Sequence, residues 1–176
     1  MSARANWIMP PGPVAPGLRV GLLGGSYNPA HEGHLHVSDV ARKRLGLDYI
    51  WWLVSPQNPL KPARGMASLG DRLSGARVLA HRHPRIRVTD IEARLGTRYT
   101  LDTIARLQQR FPQLRFVWLM GSDNLVTFHR WRNWQELARR IPIVVVMRPG
   151  TTLAPLTAKA ARRFAATRPR AQGNLD

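Results

Sequence analysis

The sequence predicts an α/β protein, a three-layer sandwich around a mainly parallel sheet. Strand-like apolar runs alternate with helical periods roughly every 30 residues, the spacing of βαβ crossovers. Two of the runs, Arg115–Met120 and Ile143–Met147, are almost continuously apolar, as strands buried on both faces are. Glycine and proline punctuate the ends of the segments.

Taken in order, Leu18–Leu23 reads as a first strand stopped by Gly24-Gly25. From His34 the period changes, with Val37, Val40, Ala41 and Leu45 at helical spacing and Gly46 as the stop. Tyr49–Val54 is a second strand, ended by Ser55-Pro56. A loop containing Pro56, Pro59 and Pro62 leads to a helix starting near Ser68. There Ser68 and Asp71 have the spacing of a capping box, and Leu69, Leu73, Ala76 and Ala80 form one face. Ile86–Val88 is a short strand. Tyr99-Thr100 opens a helix through Arg110 with Leu101, Ile104 and Leu107 inward, and Pro112 stops it. One or two short helices fit Asp123–Arg139, between the two apolar strands. Domain boundaries follow: a flexible Pro-rich leader over 1–17, one α/β domain over 18–150, and a basic segment over 151–176, helical around Leu156–Ala166 and frayed beyond it.

Composition narrows the function classes. At 176 residues with 44% hydrophobic content, the chain can bury one sizeable core. It has no cysteine, which excludes disulfide scaffolds, thiol catalysis and Cys-based zinc sites. No apolar run reaches the roughly 18 residues of a membrane span, and the start carries no export signal, so a cytoplasmic location is expected. The formal charge of +17 attracts polyanions, nucleic acid first among them and small phosphorylated substrates equally. Of the 27 basic residues 24 are arginines, scattered along the chain in the manner of a solvated surface.

In a doubly wound sheet, ligands sit beyond the carboxyl ends of the strands. After the first strand comes Gly24-Gly25-Ser26-Tyr27-Asn28-Pro29-Ala30-His31-Glu32-Gly33-His34. The glycines allow close backbone approach, and the helix start favours phosphate. His31 and His34 can donate hydrogen bonds to phosphate oxygens, and a protonated imidazole adds charge. The stretch lacks the dinucleotide fingerprint and the P-loop lysine. It is one residue short of the zinc-protease helix spacing, so no residue is assigned to a metal. A plainer role for the two histidines is to cap the helix.

Gly-x-Tyr-Asn-Pro-x-His-x-Gly-His resembles the signature of the adenylyl- and cytidylyltransferase superfamily, with Tyr27 for Phe and Asn28 for Asp. Ser55–Pro62, Tyr99-Thr100, Gly121–Leu125, Trp131-Arg132 and Arg148-Pro149-Gly150 follow in an order similar to bacterial nicotinate-nucleotide adenylyltransferases. The resemblance covers about Leu18–Gly150. It implies a Rossmann-like nucleotidyltransferase fold and adenylyl transfer from ATP to nicotinate mononucleotide, giving deamido-NAD and pyrophosphate by direct in-line displacement.

The resemblance also implies roles. His31 and His34 bind ATP phosphates, with His34 the main catalytic group. Gly24, Gly25, Ser26 and Tyr27 line the nucleotides with backbone and hydroxyl groups. Lys61 stands near the phosphates, or is simply a solvated loop lysine. Thr100 holds the nicotinate carboxylate through its N–H while capping a helix. Trp131 stacks on the pyridine, although Phe128, Trp131 and Trp134 at helical spacing also suit a core anchor. Arg132 completes the carboxylate site with its backbone. Asp123 binds ribose, or serves as a helix N-cap. Magnesium is implied on the ATP phosphates. His36, His81, His83 and His129 read as solvated or helix-end residues.

One element of the family pattern, Ser-x-Thr-x-x-Arg, has no match in Thr151–Asp176, which puts a phosphate contact and full activity in question. Two alternatives stay open: a related transferase acting on nicotinamide mononucleotide or phosphopantetheine, and a weakly catalytic nucleotide- or RNA-binding remnant. Oligomeric state is not legible.

Overall fold

The computed structural model describes residues 8–57, 64–148, 150 and 159–163. Its elements are β1 (Arg19–Gly25), α1 (Glu32–Leu45), β2 (Tyr49–Val54), α2 (Leu69–Ala80), β3 (Ile86–Thr89), α3 (Ile91–Leu95), α4 (Thr100–Arg110), β4 (Arg115–Gly121), α5 (Ser122–Thr127), a 3-10 turn (Phe128–Arg130), α6 (Trp134–Arg140), β5 (Ile143–Val146) and α7 (Lys159–Arg163). The five strands form one sheet in the order β3-β2-β1-β4-β5, and every pairing is parallel. This is the three-layer α/β sandwich that the strand–helix alternation predicts.

Alternation along the strands builds a core on each face. In β2, Trp51 and Leu53 pack with Ile91, Leu101, Ile104, Leu107, Trp118 and Phe128, under α3, α4 and the segment after β4. Ile50, Trp52 and Val54 point the other way, among Val37, Ala41, Leu73, Ala76 and Ala80 of α1 and α2. All five of those strand residues are fully buried, which explains why β2 carries no polar position. Central β1 is held on both sides, Leu22 opposite Trp51 and also opposite Trp118. The crevice where crossovers part therefore opens at the carboxyl ends of β1 and β4.

Several local expectations change. Helix α1 begins at Glu32 because His31 is the capping residue, and it ends at Gly46 in the left-handed conformation, φ 59°. Helix α4 is capped by Tyr99, so Thr100 is its first helical residue rather than its cap. Helix α3 has only five residues, too few to show a period. The Thr89 hydroxyl accepts from the Ile91 N–H at 3.1 Å to start it, and Gly96 at φ 65° ends it. Phe128, Trp131 and Trp134 do not share a helix: Trp131 is extended and Asn133 is left-handed. The three rings still touch, Trp131 and Trp134 each edge-on to Phe128 at 5.3 and 5.9 Å.

Residues 8–17 make contacts with the domain. Ile8 and Val14 pack against the core, Arg94 donates to the Met9 carbonyl, and the Gly17 N–H donates to the Gln113 carbonyl. In the C-terminal segment, α7 buries Ala160 and Ala161; the rest of the expected helix over Leu156–Ala166 lies outside the described residues. Among the described residues no helix is long and apolar enough to cross a membrane.

Candidate active site

A cleft of about 590 Å3 opens at the switch point, within the ordinary range for small-molecule sites. Ten expected residues line it: Gly24, Gly25, Ser26, Tyr27, His31, His34, Thr100, Asp123, Trp131 and Arg132. Lys61 lies outside the described residues.

The two histidines of the motif cap one another. The Gly33 N–H donates to His31 Nδ1 at 3.1 Å, and the His31 N–H donates to His34 Nδ1 at 3.1 Å. Accepting at Nδ1 requires a lone pair there, which places the proton of each neutral ring on Nε2. Both rings thus keep an Nε2–H donor for the cleft, and His34 Nε2 faces Gly25. The cap consumes only Nδ1, so capping leaves Nε2 of both imidazoles available.

Burial, reinforced by the neighbouring His31, lowers His34 to about 4. His34 is consequently neutral at physiological pH and acts as a hydrogen-bond donor, not as the protonated cation the sequence also allowed. Formal charge at this end comes from Arg148. Its guanidinium passes over Gly33 and Gly121, where an added Cβ would lie 3.3 Å from Arg148 Cζ at Gly33 and 3.0 Å from its Nε at Gly121. Two glycines on different elements therefore form the slot for one arginine. Asp123 Oδ2 lies 3.5 Å from Arg148. Asp123 sits in the first turn of α5, behind the Gly121 cap, so it is not the N-cap.

Tyr27 is 1% exposed at a left-handed φ of 51°, and its hydroxyl donates to the Leu23 carbonyl at 2.7 Å. The hydroxyl proton is thus engaged inside the fold, while the residue lines the cleft. Its ring stacks on His34 at 4.4 Å and on Trp52 at 5.2 Å, propping the imidazole. The second motif departure also has a use. Asn28 Oδ1 accepts from the Ala67 N–H while Nδ2 donates to the Gly65 carbonyl, a pairing no aspartate carboxylate could make in full.

Three contributors escaped the sequence reading. Arg72 of α2 is 4% exposed, and its guanidinium donates to the carbonyls of Ser26, Ser55, Pro56 and Ala67 at 2.6–3.0 Å. It fastens the loops after β1 and β2 together beneath the cleft. Arg148 was visible only as part of Arg-Pro-Gly. Glu92 lies in the cleft wall beside Tyr27 and accepts from the Thr103 hydroxyl at 3.3 Å. Thr103 also meets the Thr97 hydroxyl at 2.8 Å and donates to the Tyr99 carbonyl, so this network underlies the segment presenting Thr100. His36 is likewise not at a helix end: it is half-buried in α1 with Nε2 3.3 Å from the Met147 carbonyl.

Burial pushes the Glu92 carboxyl up to about 7, against hydrogen bonds from Thr103 and Ser55 that favour its charge. A carboxyl raised in the folded state stabilises below its unfolded value near 4.5, and that contribution is lost as pH climbs to about 7. Glu92→Gln is accordingly expected to gain stability over wild type between pH 5 and pH 8, by up to about 3 kcal/mol. Urea titrations of both proteins at each pH check this. A gain that does not grow with pH would contradict it. His34 contributes the opposite slope, losing stability as pH falls from 6.5 towards 4, but equally in both proteins.

The cytidylyltransferase-like family model matches residues 22–171. The chain belongs to this family. Two of its curated relatives share a name, and they place the chain among the nicotinate-nucleotide adenylyltransferases. A protein of Parvibaculum lavamentivorans named probable nicotinate-nucleotide adenylyltransferase is 62% identical over 140 residues, 80% of this chain and 69% of that protein. One of the same name from Cereibacter sphaeroides is 58% identical over 149 residues, 85% of this chain and 80% of the other. Among solved structures, Plasmodium falciparum nicotinic acid mononucleotide adenylyltransferase complexed with NaAD matches with a TM-score of 0.63 at 16% identity. That match covers 84% of this chain and 83% of the other, and it shows a shared fold. Within this family fold, the reciprocal histidine cap stands at the end of β1, and Arg148 reaches it from beyond β5.

Proposed function

We propose that the chain transfers an adenylyl group from ATP to nicotinate mononucleotide, releasing pyrophosphate and forming deamido-NAD. The observation that supports this is one cleft lined by two chemically different sets of residues. His31, His34 and Arg148 lie close together in it, and Thr100, Trp131 and Arg132 line the same cleft. Similarity to the named relatives supports the same substrates.

The reaction is a single displacement. A phosphate oxygen of the mononucleotide attacks the α-phosphorus of ATP, a new P–O bond forms, and the bond to the bridging oxygen breaks. Pyrophosphate leaves with the electron pair. No protein nucleophile is required, so the chain acts by aligning two anions and stabilising charge on the transferring phosphorus. The Nε2–H groups of His31 and His34 donate to ATP phosphate oxygens, and Arg148 supplies positive charge beside them. Backbone at Gly24, Gly25, Ser26 and Tyr27 lines the nucleotide. Asp123 meets a ribose hydroxyl. Trp131 covers the pyridine, while the N–H groups of Thr100 and Arg132 receive the carboxylate. The first N–H groups of a helix such as α4 have no intrahelical partner, which suits Thr100 to this use.

Among the described residues no three His, Cys, Asp or Glu side chains converge as a metal cage, and Asp123 is engaged by Arg148. Magnesium therefore fits this reading as a companion of the triphosphate, held by phosphate and water, and no step is assigned to it. Both substrates are small soluble anions, in keeping with a cytoplasmic enzyme.

Pyrophosphate release from ATP with nicotinate mononucleotide, nicotinamide mononucleotide or phosphopantetheine tests the assignment. Turnover is expected to be fastest with the nicotinate compound. A preference for either other acceptor would reassign the substrate. Absence of turnover with all three, alongside ATP binding, would leave a nucleotide-binding protein without transferase activity.

A further inference from the structure

We propose that the face opposite the cleft, where Arg19, Lys43, Arg44, Arg85 and Arg115 come together, binds a nucleic-acid strand through its phosphodiester backbone. In sequence these residues are scattered from the first strand to the fourth. The fold gathers them, because every pairing in the sheet is parallel. Strand starts then share one edge, and the helices that return to it end there. That edge lies a strand's length from the cleft, about 20 Å for the seven residues of β1.

Register and contacts make the five contiguous. Arg19 and Arg115 begin neighbouring strands, are partners in register, and are both exposed. Arg19 Nη1 lies 3.6 Å from where a Cβ on Gly46 would stand. It therefore meets the end of α1, whose last turn holds the exposed Lys43 and Arg44. On the β2 side, the Asp48 carboxylate accepts from the Arg19 N–H at 2.8 Å, and Arg85 Nη1 donates to the Asp48 carbonyl at 3.5 Å. Arg85 Cζ also stands 5.2 Å from the Tyr49 centroid, which braces this exposed side chain against the first residue of β2.

The charge of this face is one-sided. Among the described residues, Asp48 is the carboxylate at these strand starts, and no ion pair within 4 Å engages any of the five cations. Glu32, Asp71, Asp102 and Asp123 instead lie in the first turns of helices, at the opposite edge. Lys43 and Arg44 offset the dipole of α1. Arg19, Arg85 and Arg115 stand at strand starts, where no helix end calls for a cation. Arginine predominates, and its planar fork suits phosphate oxygens. From β3 across to β4 the row covers three strand spacings, about 14 Å, which is room for about four successive phosphates. An anionic membrane fits less well. The described large apolar residues that are exposed, Met9, Val78, Val126 and Met147, all stand away from these strand starts, so none would enter a bilayer there.

Fluorescence anisotropy of a labelled RNA and a labelled DNA of about 20 nucleotides, over about 50 to 200 mM salt, provides the test. Binding is expected at about 1–10 µM at the lowest salt, alike for both sugars, with log affinity falling against log salt at a slope of about −3. The triple variant Arg19→Gln, Arg85→Gln, Arg115→Gln should bind about 100-fold more weakly, with the slope reduced by about 2. Lys43→Gln with Arg44→Gln should cost about tenfold, and it carries the test if a melting curve shows the triple variant unfolded. Arg98→Gln, Arg106→Gln and Arg130→Gln remove the same charge around the cleft and the recess beside it. Those three together should change affinity by less than about threefold. Equal weakening by both triple variants would overturn the proposal, because net charge and not this face would then be responsible. Displacement of the strand by ATP at constant ionic strength would place it in the cleft and overturn the proposal too. Tighter binding to phosphatidylserine vesicles than to either nucleic acid, or no binding at the lowest salt, would do the same.

Discussion

His34→Ala is expected to lower the rate of pyrophosphate release at saturating ATP and nicotinate mononucleotide by about 100- to 1000-fold. This is the usual cost of removing one preorganised donor from a developing oxyanion. The preorganisation is specific: Tyr27 stacks on the ring at 4.4 Å, and the His31 N–H fixes Nδ1, so Nε2–H has one direction left. The same substitution removes one half of the reciprocal cap on α1, which costs about 1 kcal/mol of stability. Rate loss should therefore far exceed any fall in thermal midpoint. Stopped-assay rates and a melting curve on the same preparation decide it, and a rate within a few-fold of wild type would remove His34 from the chemistry.

Arg72→Met should produce the largest loss of stability of any single arginine substitution outside the cleft. The side chain is 4% exposed and donates to four carbonyls from the two loops that follow β1 and β2. Methionine keeps the apolar stem and supplies no donor, which strands acceptors that water reaches poorly. A loss of about 3 kcal/mol follows, with the charged hydrogen bonds partly replaced by water where Ser55 and Pro56 are half-buried. Arg72→Lys should recover little, since one ammonium cannot span carbonyls placed around a guanidinium fork. Urea midpoints measure both. Because Ser26 and Ser55 flank the cleft, the affinity for ATP should fall with the stability in Arg72→Met. An unchanged midpoint would show that the loops hold themselves.

The strands were legible because their residues are apolar on both faces; β2 begins and ends where the pattern of Tyr49–Val54 says. The motif was legible because glycines and histidines at fixed spacing have few other uses. Glu92 was not, since a carboxyl in a five-residue helix looks like any exposed acid until Tyr27, Thr103 and Ser55 enclose it. Arg72 was hidden for a related reason: between Leu69 and Leu73, a charged residue reads as one that turns to solvent. Its partners are carbonyls from Ser26 to Ala67, and backbone acceptors leave no trace in side-chain identity.

By itself, then, the sequence determined the α/β class, the order of the strands and longer helices, and the residues at the strand ends. Each of these follows from local rules of burial, capping and turn formation. Tertiary structure alone decided which charges meet. Arg148 follows the last strand in the chain, yet it lies over Gly33 of the first helix because β5 and β1 flank β4 in one parallel sheet. The same closure buries His34 until it is a neutral donor and gathers Arg98 and Arg132 on Tyr99. Electrostatics depends on distance and burial, and both are set by packing between segments far apart in the chain.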